Sequence, residues 1–133
     1  LGATTMQVRR GVEDGKAFSA GLNNTTSARD LGVLMAALAQ DRAASRASCE
    51  AMRAILRRQE FNDEIPAGLP KGTPVAHKTG WITATTHDAA IVYPPNRPPY
   101  VLVVLTRAIP ERKVAQALMA GISRDVWQAV ARQ

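Results

Sequence analysis

One cysteine, Cys49, is all that the 133 residues hold, which excludes an internal disulfide and leaves cysteine usage silent on compartment. Cys49 sits at helical spacing with Met52 and Leu56, the position of a buried small hydrophobe. Aromatic residues are scarce, at 5% of the chain. The basic residues Arg9, Arg10, Arg42, Arg46, Arg57, Arg58, Arg112 and Lys113 are scattered, with no rings among them to stack on bases. A net charge of +6 and a pI near 10.2 therefore imply long-range attraction to anionic polymers, and nucleic acid is not expected as a partner. No apolar run is long enough to cross a bilayer; the longest, Tyr100 to Leu105, fits a buried strand. No lysine follows Ser19, Ser27, Ser45, Ser48 or Ser123 at the third position, so none qualifies as a lysine-activated nucleophile. His77, His87 and Cys49 lack metal-ligand spacing, and neither metal nor cofactor is expected.

What remains is an ordinary globular composition, 46% hydrophobic and 21% charged, of a length that suits one domain. Residues 1–24 show no sustained period and read as a short helix end followed by a long loop. Thr25-Thr26-Ser27 offers a helix N-cap, with Leu31, Leu34, Met35 and Leu38 at helical spacing behind it. Residues 43–59 read as a second helix with Cys49, Met52, Ile55 and Leu56 as its apolar stripe. Pro66, Gly68, Pro70, Gly72 and Pro74 force a loop over residues 60–74. The period then changes: residues 75–83, 88–93 and 100–107 read as strands, the last two separated by a stiff proline-rich turn. Pro110-Glu111 opens a final helix whose face Val114, Leu118, Ile122, Val126 and Val130 is expected to cover the strands. The order predicts an α+β layer fold with three antiparallel C-terminal strands.

Within the first of those strands lies Ala76-His77-Lys78-Thr79-Gly80-Trp81, followed by His87-Asp88-Ala89-Ala90-Ile91-Val92-Tyr93. A bare Lys-Thr-Gly triplet is weak evidence, since an exposed strand lysine and a bulge glycine also produce it. Its surroundings make it more specific: a Pro-Gly loop (Leu69-Pro70-Lys71-Gly72) precedes it, and two strands and a helix follow.

With Asn24-Thr25-Thr26-Ser27-Ala28-Arg29-Asp30-Leu31 and Ile65-Pro66-Ala67-Gly68-Leu69-Pro70 added, the chain resembles the C-terminal part of the class A β-lactamase and penicillin-binding serine hydrolase family. The likeness covers nearly all of the chain and about half of the family's domain, so residues 1–133 are expected to be the C-terminal portion of a single domain. It implies a Ser-x-x-Lys nucleophile and a Ser-Asp-Asn-like segment upstream of Leu1, both absent here. It implies a β-lactam or peptidoglycan-like D-Ala-D-Ala substrate, and a secreted, periplasmic or cell-envelope location, with any leader upstream. An open half-domain would expose apolar helix faces, which a second chain supplying the missing half would cover.

The resemblance also assigns roles. Lys78 would raise the positive potential near the serines and the substrate carboxylate and assist proton transfer. Thr79 would hydrogen-bond that carboxylate. Gly80 would let the acyl group lie against the backbone. The Trp81 N–H would be half of an oxyanion hole, and its ring would contact substrate side groups. Glu13 is the candidate for the deacylating base, or else a surface partner of Arg9 or Arg10. The family's Glu-x-x-Leu-Asn spacing is not kept, because Leu22-Asn23 follows Glu13 by nine positions. His87 falls where many relatives carry a carboxylate-binding arginine, and is either a weaker replacement or a plain strand residue. Asp88 is expected to accept structural hydrogen bonds, and Trp127 to lie in the core.

Overall fold

The computed structural model describes residues 1–132. Its centre is an antiparallel sheet in the order β1 (Val75–Ile82), β2 (Thr85–Val92) and β3 (Tyr100–Arg107). Three β-branched or aromatic runs interrupted by turn residues give the sheet, as the sequence predicts. The second strand starts three residues earlier than expected, because a two-residue turn, Thr83-Ala84, returns the chain at once. Ala84 adopts a left-handed φ of 53° to close it.

Helices cover both faces. On one lie α2 (Ala28–Ala39) and α3 (Arg46–Leu56), which bury Met35, Leu38 and Cys49 against Ala76, Ala89 and Ile91. On the other lie a 3-10 turn (Ile65–Gly68) and α4 (Arg112–Ala131), burying Ile65 and Met119 against Ala90, Val92 and Val104, with Trp127 at the border. The early segment is a loop fastened by a Gln7–Thr25 bridge. Its only helical part, α1 (Gly15–Ser19), lies in the middle of the segment and buries none of its residues.

The Ser27 hydroxyl caps α2 by accepting from the Asp30 N–H at 3.1 Å. Two helical expectations need correction. The α3 helix begins at Arg46, because Ser45 caps it through the Ser48 N–H, and ends at Leu56. Its inner position after Cys49 is taken by Arg53, leaving Met52 and Ile55 exposed. The guanidinium of Arg53 donates to the Leu38 carbonyl and to Asp41 Oδ1, each at 2.6 Å, and to Glu50 Oε2 at 2.6 Å. It thereby satisfies an orphan carbonyl of the last turn of α2.

The second correction concerns α4, which buries Ala115, Met119, Ala120 and Ser123, whereas Val114 and Leu118 face outward. Close approach decides this: a Cβ on Gly68 would lie 2.1 Å from the Ala120 carbonyl oxygen, so only small side chains fit the seam. Gly68→Ala should therefore cost about 3 kcal/mol or more by overpacking a backbone–backbone contact. Urea denaturation reads this directly, and an unchanged midpoint would show that the seam is loose.

The N-terminal segment is tied to α2 by Asp30, whose Oδ2 accepts from the Thr5 N–H at 2.8 Å and from the Thr5 hydroxyl. The Thr5 hydroxyl, foremost, holds the Asp30 carboxyl below its ordinary range, with burial opposing it and backbone N–H groups adding to it. A depressed folded value means that the stabilisation is present above the unfolded carboxylate range and is lost as pH falls through the folded value. Acid titration of stability should thus be steeper for the parent than for Asp30→Asn; parallel profiles would contradict the tie.

Candidate functional site

The turn that joins β1 to β2 dictates which backbone groups are free. Ile82 and Thr85 close a two-residue turn, so they form a hydrogen-bonded pair, and pairs alternate from there. Lys78 and Gly80 therefore direct their N–H and C=O groups toward Ala89 and His87 on β2. Thr79 and Trp81 direct theirs away from it. Among the described residues β1 pairs on one side only, so the Thr79 and Trp81 amides line an open strand edge.

Side chains alternate the other way. Lys78, Gly80 and, across from Gly80, His87 share the face covered by α2 and α3. At Gly80 nothing lies within 4 Å of where a Cβ would stand, and its φ is outside the left-handed range. Neither packing nor backbone conformation within this chain demands glycine there. The Lys78 ammonium folds onto the neighbouring Thr79 carbonyl. It borders a cleft of about 290 Å³ lined by Ile55, Arg58, Glu60 and Phe61. His87 borders a different and larger cleft, about 770 Å³, with Met6, Asn24, Thr26, Leu105 and Arg107. Its Nδ1 lies 2.8 Å from the Thr86 carbonyl and 3.2 Å from the Thr106 N–H, and with one proton or lone pair to offer it bonds one of these backbone groups at a time.

Thr79 and Trp81 face the α4 side. Thr79 is 3% exposed and its hydroxyl has no partner among the described residues. Trp81 is 42% exposed, yet its indole is fixed. The Phe61 ring meets it edge-on at 5.0 Å, and the Arg112 guanidinium lies 3.7 Å from its centroid. Arg112 is held in turn by the fully buried Glu64, at 3.2 Å, which also accepts from Gln116 at 3.0 Å. Arg112 and Phe61 were not legible as site residues: Arg112 is one of the scattered basic residues in the sequence, and its partner Glu64 is 48 positions away.

Asp88 is fully buried and structural. Its carboxylate faces His77 Nδ1 at 3.0 and 3.2 Å and accepts the Ile65 N–H at 3.2 Å, binding both strands to the 3-10 turn. Glu13 is exposed, lines neither cleft and makes no ion pair among the described residues. Arg10 donates instead to the Gly11 and Val12 carbonyls and stacks on Phe18. Among the described residues no three His, Cys, Asp or Glu side chains gather as metal ligands, and no helix is long and apolar enough to cross a membrane.

A family model described as the beta-lactamase enzyme family matches residues 1–130. The chain belongs to this family. Beta-lactamase 3 of Bacillus cereus is 45% identical over 53 residues, which are 38% of this chain and 17% of that protein. The solved structure of PBP-A is 33% identical with a TM-score of 0.87, covering 99% of this chain and 48% of that one. A PBP-A variant solved as an acyl-enzyme complex with penicillin G is 35% identical with a TM-score of 0.84, covering 97% and 47%. The chain thus spans about half the length of these solved relatives and less of the curated one. Membership of the class A β-lactamase and penicillin-binding protein family accounts for the α+β layering.

The unpartnered Thr79 hydroxyl can be examined apart from activity. Thr79→Val removes a buried group without a hydrogen bond, so stability should be unchanged or higher by about 1 kcal/mol. A clear loss in thermal denaturation would show that the hydroxyl has a partner in the folded protein.

Proposed function

We propose that this chain is the C-terminal portion of a β-lactamase-like serine hydrolase that acylates on β-lactam or D-Ala-D-Ala-type amides. The observation that carries the reading is the free edge of β1: the Trp81 amide points outward beside Lys78, with open space over Gly80. An acyl chain would pair with that edge as an added strand, its carbonyl oxygen receiving the Trp81 N–H. The nucleophilic serine and the other oxyanion donor would come from the missing N-terminal portion. Lys78 would supply positive potential and assist proton transfer. Thr79 and His87 are both assigned to the substrate carboxylate, although they lie on opposite faces of the sheet and the Thr79 hydroxyl is buried within this chain. The exposed Val114, Leu118 and Ile55 are apolar surface that the other half of the domain would cover, carried on upstream sequence or on a second chain. Secretion to the cell envelope follows from the same reading.

A slow-deacylating, penicillin-binding reading is favoured over rapid β-lactam turnover by one observation. Glu13, assigned as the deacylating base, borders neither cleft. A protein that acylates without an aligned base retains its acyl group. A non-catalytic module that kept the fold is the competing class.

Labelling with a fluorescent penicillin separates these readings. A longer form that includes the upstream sequence should form a stable covalent adduct, and the 133-residue chain alone should form none. Lys78→Ala in the longer form should slow acylation by roughly 100-fold or more. No adduct in the longer form would establish the non-catalytic module, and near-normal acylation by the variant would remove Lys78 from the mechanism.

A further inference from the structure

His77 stands beside Lys78 in sequence, yet the reading above gives it no role. It is 1% exposed, and each ring nitrogen faces an oxygen. Nδ1 faces the Asp88 carboxylate at 3.0 Å, and Nε2 faces Asn62 Oδ1 at 3.2 Å. The orientation of the Asn62 amide is fixed by its other bonds, because Nδ2 donates to the Gln59 carbonyl at 3.2 Å and to the Glu60 carbonyl at 3.0 Å. Oδ1 is therefore the atom turned toward His77, and it can only accept. A hydrogen bond at this contact thus needs the ring proton on Nε2. A ring with its proton on Nδ1 and a bare Nε2 would set two acceptors against each other across this partly buried contact.

The consequence is mechanical. Asp88 also holds the Ile65 N–H at 3.2 Å, so His77 and Asp88 together grip residues 62 and 65 of one loop. Between Asn62 and the end of α3 that loop carries Phe61, which meets the Trp81 indole and walls the cleft beside Lys78. Glu64 is anchored independently, through Arg112 and Gln116. The His77–Asn62 contact is thus the side-chain bond that ties the Phe61 end of the loop to β1.

We propose that His77 is a positioning residue: with a proton on Nε2 it latches Asn62 to β1, fixes Phe61 against Trp81, and so limits the bulk of the acyl side chain that lies beside Lys78. The latch stands on the contacts alone; the limit on acyl bulk rests on the hydrolase reading.

Two measurements test it. Long-range ¹H–¹⁵N correlation of the His77 ring in the isotopically labelled chain should show Nε2 protonated at neutral pH. Asn62→Asp loses the donations to Gln59 and Glu60, as Asn62→Leu does, but keeps the acceptor, and should preserve that signal. Asn62→Leu should lose it and speed amide exchange at residues 60–62, while strand amides keep their protection. A bare Nε2 in the parent chain overturns the latch, and so does unchanged loop exchange in Asn62→Leu. In the longer form, Asn62→Leu should raise acylation by a penicillin with a bulky side chain, relative to a small one, by roughly tenfold, and Asn62→Asp should restore the parent ratio. An unchanged ratio overturns the limit on acyl bulk. A longer form that takes no penicillin at all sinks the hydrolase reading, and with it that limit, while the ring and exchange data still decide the latch.

Discussion

The pairing of Ile82 with Thr85 across a two-residue turn is the constraint from which the site follows. Once that pair is hydrogen-bonded, alternation leaves no freedom along β1. Lys78 and Gly80 spend their backbone groups on β2, while Thr79 and Trp81 turn theirs to an unpaired edge. A slip of one residue would exchange these sets and move Lys78 to the α4 face. The left-handed Ala84, of a residue type that disfavours that conformation, shows that the tight turn is held by the surrounding sheet rather than by local preference.

The two sheet faces then do different work. On the α2 and α3 side, apolar packing stops short of the Gly80–His87 pair, leaving open clefts where chemistry is proposed. On the α4 side the interior is polar as well as apolar. Asp88, His77, Glu64 and, at its rim, Arg112 form contacts that join the loop before β1 to the sheet and to the start of α4. Buried charges of this kind add little net stability when paired, and breaking one partner is costly. Their product is placement: Phe61 and Arg112 bracket Trp81, the residue whose amide is proposed to bind the oxyanion.

The strands and the Lys-Thr-Gly segment were legible because β-branched runs and proline punctuation act locally. Cys49 in the core and Asp88 as a hydrogen-bond acceptor were legible for the same reason. The buried stripe of α4 was not: the apolar residues Val114 and Leu118 suggest one face, and the close seam at Gly68 selects the small residues on another. Arg53 was hidden in a similar way, since a charged residue at a core position becomes sensible only once the end of α2 and Asp41 are beside it. The Arg112–Trp81–Phe61 bracket joins three distant segments, and no spacing in the sequence announces it. The sites of Glu13 and His87 differ from the Lys78 cleft because loop and sheet geometry, not residue type, decides which groups meet.

Residue-resolved amide hydrogen exchange along β1 tests the central geometry most directly. The account predicts slow exchange at Lys78, Gly80 and Ile82, and fast exchange at Thr79 and Trp81, whose N–H groups lie on the open edge. Equal protection at all five positions, or protection of Trp81 with exposure of Gly80, would contradict the register and with it the proposed oxyanion donor.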